Sequence, residues 1–309
     1  MCKICFLDRA SLGDVSLAPI AALGELVCYE TSAPHQVAER IADAEVIITN
    51  KVLIGRAEID TAPALRLICV AATGTNNIDL DYAAERGIPV RNVAGYSTES
   101  VVQTTFMHLL NLVGQAPHYD HHIKSGAYSH SGLFTYMGCS WSELHGKRIG
   151  IIGLGTIGNR VAAIAEAFGM EVVYYPTSGK AHSDRYPALS LDELLTTADV
   201  VSIHAPLNEQ TRGLLGYAEL CRMKPSAILL NAGRGGIVDE AALAQALDEG
   251  CLAGAGLDVF AIEPLPADSP LLSMAHPERL SLTPHTAWAS REARERLVAK
   301  IAENIQTTL

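Results

Sequence analysis

Short apolar runs of strand length alternate with amphipathic stretches along this chain, in two series separated by one helix that is apolar on more than one face. In the first series Lys3–Leu7, Leu26–Tyr29, Val46–Thr49 and Leu67–Ala71 read as strands, with helical patterns such as Gln36–Ile41 between them. Alternation of this kind predicts a parallel sheet with helices on its faces. Residues 97–113 then carry Val101, Val102, Phe106, Met107, Leu109, Leu110 and Val113, a pattern that predicts a helix buried between domains or between subunits. From Lys147 the alternation resumes, and after a first strand from Arg148 come Glu171–Tyr175, Val200–Ala205, Ala227–Asn231, Ala253–Asp258 and Leu280–Thr283. Six strands are the number of a doubly wound nucleotide-binding sheet. The last helix, from Ser290, carries Leu297, Ile301 and Ile305 at i+4 spacing and is spare once that sheet is complete. It is expected to pack back on the first series, so the second domain is an insertion: residues 1–97 with 285–309 form one domain and 98–284 the other.

The first strand of the second series runs into Gly153-x-Gly155-x-x-Gly158 and then into a helix carrying Val161, Ile164, Ala165 and Phe168. A dinucleotide site needs strand, tight turn and helix N-terminus in that order, and this context raises a common glycine pattern above an ordinary turn. Gly153 suits the sharp exit from the strand, Gly155 the close approach of backbone to a pyrophosphate, and Gly158 the packing of helix on sheet. The helix N-terminus then faces the phosphates. About 150 residues precede this turn, which an inserted cofactor domain explains. In the first series, the loop Ala72-Thr73-Gly74-Thr75-Asn76-Asn77-Ile78-Asp79 follows the fourth strand, at the carboxyl end where open α/β sheets bind ligands.

Composition narrows the partners. The 309 residues are 49% hydrophobic and 18% charged, which suits two globular domains. A formal charge of -11 argues against nucleic acid and anionic membranes as partners. The chain shows no apolar run long enough for a membrane span and no secretory leader, so a cytoplasmic protein is expected. Seven scattered cysteines fit reduced thiols better than a disulfide frame, and Cys2-x-x-Cys5 has no complementing pair. His118, His121 and His122 share one side of a helical stretch, with His130 beyond, and read as solvated side chains rather than a zinc site. No metal is expected.

Three further stretches place ionisable groups at strand ends: Asn231-Ala232-Gly233-Arg234-Gly235-Gly236, Gly256-Leu257-Asp258-Val259-Phe260-Ala261-Ile262-Glu263-Pro264 and Thr283-Pro284-His285-Thr286-Ala287-Trp288. Glycine turn, arginine, glutamate and histidine in this order resemble the D-isomer-specific 2-hydroxyacid dehydrogenases over nearly the whole chain, most closely the glycerate dehydrogenase and hydroxypyruvate reductase branch. The resemblance implies two Rossmann-like doubly wound domains, with the cofactor domain inserted into a flavodoxin-like substrate domain. It also implies reduction of a small 2-oxo acid to the D-2-hydroxy acid by NAD(P)H. Arg234 would hold the substrate carboxylate and carbonyl oxygen with its planar fork. His285 would be the general acid in reduction and the base in oxidation, and Glu263 would hold its imidazole. Glutamate at 263 separates the chain from formate dehydrogenases of this fold, which carry glutamine there and transfer no proton. Backbone amides around Thr73 and Gly74 would give the second carboxylate contact, and Trp288 would border the substrate pocket.

The expected cofactor contacts are Gly153, Gly155, Thr156, Ile157 and Gly158 in the turn, Thr177, Ser178 and Lys180 after the second strand, Ala205, Pro206 and Ala232 at later strand ends, and Asp258 for the nicotinamide carboxamide. One feature departs from an NAD-specific site, whose second strand ends in an acidic residue. Here Val172-Val173-Tyr174-Tyr175 runs into Pro176-Thr177-Ser178-Gly179-Lys180 with no carboxylate before Asp184, which tips the expectation slightly towards NADP(H) over NAD(H). A homodimer joined through the 97–113 helix and its flanks is expected, because several apolar faces need more cover than one domain edge provides. The alternative of a different class is a nucleotide-sensing corepressor-like binding protein of the same fold. Those proteins add interaction segments and tails, whereas this chain stops at Leu309 directly after the closing helix, so an enzyme is expected.

Overall fold

A computed structural model describes residues 2–181 and 183–309. The chain divides into two compact units, one running up to Ser97 and resuming at Trp288–Leu309, the other being Thr98–Ala287.

The first unit is built on a parallel sheet of β1 (Lys3–Phe6), β2 (Glu25–Cys28), β3 (Val46–Thr49), β4 (Leu67–Val70) and β5 (Val90–Arg91), in the order β2-β1-β3-β4-β5. The four longer strands match the apolar runs, while β5, with two residues, is too short to show a period. Alternate side chains feed two cores. Ile4, Phe6, Val46, Ile48 and Leu67 face Leu297, Val298, Ile301 and Ile305 of the closing helix Arg291–Thr308, whereas Cys5, Ile47, Ile68 and Val70 face Val37, Ile41, Ile59 and Ala83 on the other side. Each of those four closing-helix side chains is at most 3% exposed, worth about 1.5–3 kcal/mol of apolar burial apiece. Ser290 caps that helix by accepting from the Ala293 amide, and Arg296 donates to the Tyr96 carbonyl at 2.9 Å.

The second unit holds β6 (Arg148–Ile152), β7 (Glu171–Tyr175), β8 (Val200–Ile203), β9 (Ile228–Asn231), β10 (Gly254–Leu257) and β11 (Leu280–Leu282), all parallel, in the order β11-β10-β9-β8-β6-β7. A single parallel bridge from Tyr174 to Ala188 extends the sheet beyond β7. The strand order reverses between β6 and β8, the switch point at which open α/β sheets bind dinucleotides. The apolar helix Thr98–Gly114 lies on β9, β10 and β11, so a domain's own sheet covers much of what the sequence pattern left to another domain or subunit. Glycines make that contact possible. A Cβ on Gly256 would stand 2.6 Å from the Cβ of His108, and one on Gly254 would stand 3.2 Å from Leu112 Cδ2.

One cysteine expectation is corrected. Cys221 and Cys251 form a disulfide, with Cα atoms 4.8 Å apart, while Cys2, Cys5, Cys28, Cys69 and Cys139 are free. Cys221 caps the helix Tyr217–Leu220 and Cys251 follows the turn after the helix Glu240–Asp248, two elements that pack together. Thirty residues of separation carry no signal of that proximity.

Directly after β8, burial pushes the His204 imidazole down to about 4, and burial likewise lowers His108 on the helix Thr98–Gly114. An unfolded histidine takes up its proton near its ordinary value of about 6.5, so between these pH values the unfolded chain binds more protons and acid favours unfolding. Stability is therefore expected to fall by roughly 1 kcal/mol per pH unit below that value from His204 alone. Thermal melts from pH 7 to pH 5 should show a shallower loss for His204→Gln than for the unmodified protein. Equal slopes would remove His204 as the source.

Candidate active site

The glycine turn forms because two strand ends meet there. Gly153 sits at φ +89°, and a Cβ on it would lie 2.8 Å from the backbone of Ala205, which follows β8. A Cβ on Gly158 would press on the Gly153 carbonyl at 2.4 Å, so the helix Thr156–Ala167 can approach the sheet only with glycine at that position. Gly155 differs from both. Among the described residues no atom beyond its chain neighbours lies within 4 Å of its would-be Cβ, and it stands as the N-cap of that helix with no side-chain cap bond. Open space above uncapped amides at Thr156 and Ile157 fits a pyrophosphate. The residues therefore fit a dinucleotide cofactor.

The other strand ends line up behind the turn. Pro206 is exposed, and its carbonyl accepts from the buried Thr211 hydroxyl at 2.6 Å, which fixes the loop after β8. Ala232 packs with Val101 and Ala287 against Ile157. After β7 the Gly179 amide donates to the Pro176 carbonyl at 2.9 Å, a tight turn that carries Thr177 and Ser178 at its corner and leaves Ser178 and Lys180 exposed.

Arg234 follows β9 and is exposed. Its segment is held by Asn231, whose amide group donates to the Arg234 carbonyl at 2.9 Å and accepts from the Gly233 amide at 3.1 Å. The flanking glycines are steric necessities, since a Cβ on Gly235 would lie 1.9 Å from the Phe260 carbonyl oxygen and one on Gly233 would lie 3.0 Å from that of Ile203. The arginine thus stands on backbone wedged between two other strand ends.

Glu263 and His285 form a direct pair. His285 Nδ1 meets Glu263 Oε2 at 2.6 Å, and the other carboxylate oxygen accepts from the Phe260 amide at 2.9 Å. With Nδ1 engaged, Nε2 is left as the nitrogen that can exchange a proton. The two side chains are 29% and 32% exposed, enough to meet a substrate and enough shelter to hold their geometry. His285 adopts φ +53°, a left-handed conformation that costs a non-glycine residue roughly 1–2 kcal/mol. Its amide donates to the carbonyls of Asp258 at 2.8 Å and Thr283 at 3.0 Å.

Asp258 is 1% exposed and heavily engaged. One carboxylate oxygen accepts from the Thr283 hydroxyl at 2.6 Å and the Thr286 amide at 2.8 Å, and the other accepts from the Ala287 amide at 2.9 Å. These bonds hold the segment that presents His285, a task that the expected carboxamide contact did not include. Sequence reasoning also missed Asn231 and Thr283, although each is a polar residue at the end of an apolar strand, which is a readable signal.

In the first unit the Thr73 hydroxyl donates to the Val93 carbonyl at 3.1 Å, and Asn92 donates to the Thr73 carbonyl at 2.5 Å, so the loop after β4 is tied to the segment after β5. Gly74 lies in the same loop and is half-buried. Trp288 is half-buried against the first core, with its ring edge-on to Tyr96 at 6.3 Å. His118 and His122 stack on Tyr136 at 5.9 and 3.7 Å.

A family model for the NAD binding domain of D-isomer specific 2-hydroxyacid dehydrogenases matches residues 106–287. The chain is 37% identical to a glycerate dehydrogenase of Methylorubrum extorquens, covering 98% of this chain and 95% of the relative. It is 35% identical to a hydroxypyruvate reductase of Blautia hydrogenotrophica, covering 99% and 97%. Among solved structures it is similar to an NADPH-dependent glyoxylate/hydroxypyruvate reductase from Sinorhizobium meliloti in complex with NADP and malonate, with a TM-score of 0.82, 29% identity and coverage of 99% and 93%.

The His285–Glu263 pair leads to a direct test. His285→Ala should lower kcat by roughly two to four decades, the range for lost general acid catalysis. Steady-state turnover retained in a folded variant would remove His285 as the acid.

Proposed function

The chain belongs to the D-isomer specific 2-hydroxyacid dehydrogenases, and we propose that it reduces a small 2-oxo acid of the glyoxylate or hydroxypyruvate kind, with NADPH slightly preferred over NADH. The observation that carries this reading is the 2.6 Å bond between His285 Nδ1 and Glu263 in the unit whose β9 is followed by Arg234. A reduced nicotinamide dinucleotide, held at the turn of Gly153, Gly155 and Gly158, would supply the hydride. Arg234 clamps the substrate carboxylate and polarises the carbonyl oxygen, drawing charge onto the atom that must be protonated. His285 delivers its Nε2 proton to that oxygen, and Glu263 holds the imidazole in place through Nδ1. Oxidation of the hydroxy acid runs the same steps backwards. Amides of Thr73 and Gly74 are assigned the second carboxylate contact, and Trp288 the limit on the substrate's side chain.

The NADPH preference rests on the turn after β7, where hydroxyls of Thr177 and Ser178 and the exposed Lys180 stand where an NAD-specific strand would end in a carboxylate. A panel of glyoxylate, hydroxypyruvate and phenylpyruvate with both reduced cofactors tests the whole reading. The two small acids should be reduced well and phenylpyruvate poorly, with Trp288→Ala narrowing the gap and Pro176→Asp shifting kcat/KM towards NADH. A preference for phenylpyruvate would overturn the substrate reading, and much better use of NADH by the unmodified enzyme would overturn the cofactor reading.

The partner assigned to the second unit is another copy of this chain. Phe134 and Met137 are 92% and 81% exposed, and Ile123, Leu133 and Trp141 are also exposed in the segment after the helix Thr98–Gly114. Between them opens a cavity of about 460 Å³ lined by Tyr119, His122, Ile123, Tyr136, Met137 and Trp141. A patch this apolar is characteristic of an interface. No helix among the described residues is long and apolar enough to cross a membrane, and the nicotinamide cofactor and small-acid substrate suit a cytoplasmic enzyme without nucleic-acid partners. Sedimentation should find a dimer at micromolar concentration, and a monomer would reject this assignment.

A further inference from the structure

We propose that His108 is a positioning residue for proton transfer: in its neutral Nε2–H form it fixes the Thr283 hydroxyl on Asp258 and so holds His285 in its left-handed conformation. The proposal rests on the reading of His285 as the general acid. His108 lies on the helix Thr98–Gly114, is 1% exposed, and meets β11 and the segment after it through both ring nitrogens. Nδ1 is 2.8 Å from the Ser281 hydroxyl and Nε2 is 3.0 Å from the Thr283 hydroxyl.

The directions of these bonds follow from counting protons. The Asp258 carboxylate only accepts, so the single Thr283 hydroxyl proton goes to it over 2.6 Å. The Thr283 oxygen must then accept from His108, which places the ring proton on Nε2. Nδ1, without a proton, accepts from the Ser281 hydroxyl. Burial lowers the imidazole's pKa below its ordinary value against the opposing pull of Asp258, which keeps one proton on the ring. Every polar atom of the chain Ser281, His108, Thr283 and Asp258 therefore has one arrangement, and that chain ends on the Thr286 and Ala287 amides. The Asp258 and Thr283 carbonyls receive the His285 amide. Glycine at 256 is what admits the imidazole, since a Cβ there would overlap the His108 side chain at 2.6 Å.

Loss of the relay should misplace the imidazole rather than the cofactor. His108→Leu and Thr283→Val should each lower kcat about 10- to 100-fold, the scale for small misplacements transmitted from outside the reacting groups, with KM for NADPH within about twofold. Thr283→Ser, which keeps the hydroxyl, should restore most of kcat. The double variant should be no slower than the slower single, because both break one chain. Full kcat in folded His108→Leu, or a double variant slowed by the product of the singles, would overturn the proposal. The unmodified protein provides a test independent of folding: long-range nitrogen–proton correlation spectra should show His108 as the neutral Nε2–H tautomer at pH 7. An Nδ1–H tautomer or an imidazolium would equally overturn it. His285→Ala separates the two readings, since retained turnover there sinks the acid assignment whatever the tautomer of His108.

Discussion

The 2.6 Å bond between His285 and Glu263 depends on backbone that would not hold itself. A histidine at φ +53° gives up roughly 1–2 kcal/mol relative to an ordinary conformation. What returns it is Asp258, whose carbonyl takes the His285 amide and whose carboxylate collects one hydroxyl and two further amides. Hydrogen bonds to a charged acceptor are each worth about 1.5–3 kcal/mol, so three of them outweigh the conformational cost several-fold. The geometry of the His285–Glu263 pair thus depends on one buried carboxylate at the end of β10, and the glycines of β10 let the helix Thr98–Gly114 lie on it.

Close approach to backbone that carries no Cβ recurs at the strand ends of this unit. Gly153 lets the exit of β6 touch Ala205, Gly235 lets the Arg234 segment touch Phe260, and Gly256 lets His108 reach β11. At each of these positions a methyl group would fall within 3.0 Å of a neighbouring atom, so the chain would have to shift the strand ends apart. Gly155 is the exception that identifies the ligand side. It is the glycine of the turn with nothing in front of it, and its emptiness is useful only if something else is to occupy the space.

Much of this was legible from residue order, and the parts that were not share a cause. Strands of four or five residues with buried faces show as apolar runs, the glycine turn shows as a motif, and Arg234, Glu263 and His285 stand out as ionisable groups at strand ends. β5 did not show because two residues have no period. The Cys221–Cys251 bond did not show because its closeness is produced by the packing of two helices, not by spacing. His108 was read past for a related reason: with Ser100 and Thr105 it is one of three buried polar residues among Val101, Val102, Phe106, Leu109 and Leu112, and nothing on the helix hints at its partners, which lie more than 170 residues away. The cover for the helix itself was sought outside its domain, yet much of it is the domain's own sheet.

A net charge of -11 raises the question of how an anionic 2-oxo acid is drawn to this protein at all. Screening decides the matter. At physiological salt the Debye length is about 8 Å, so most of the 34 acidic residues contribute little at any one point, while a contact pair near the surface is worth about 4 kcal/mol at 4 Å. Arg234 stands exposed after β9 and offers such a pair a positive partner. Two carboxylates of the same unit are already engaged: Asp258 is buried among amide and hydroxyl donors, and Glu263 is bonded to His285. Global charge therefore argues against an extended polyanion, which would meet many acids along its length, but not against a small acid of one carboxylate, which samples the field at one point.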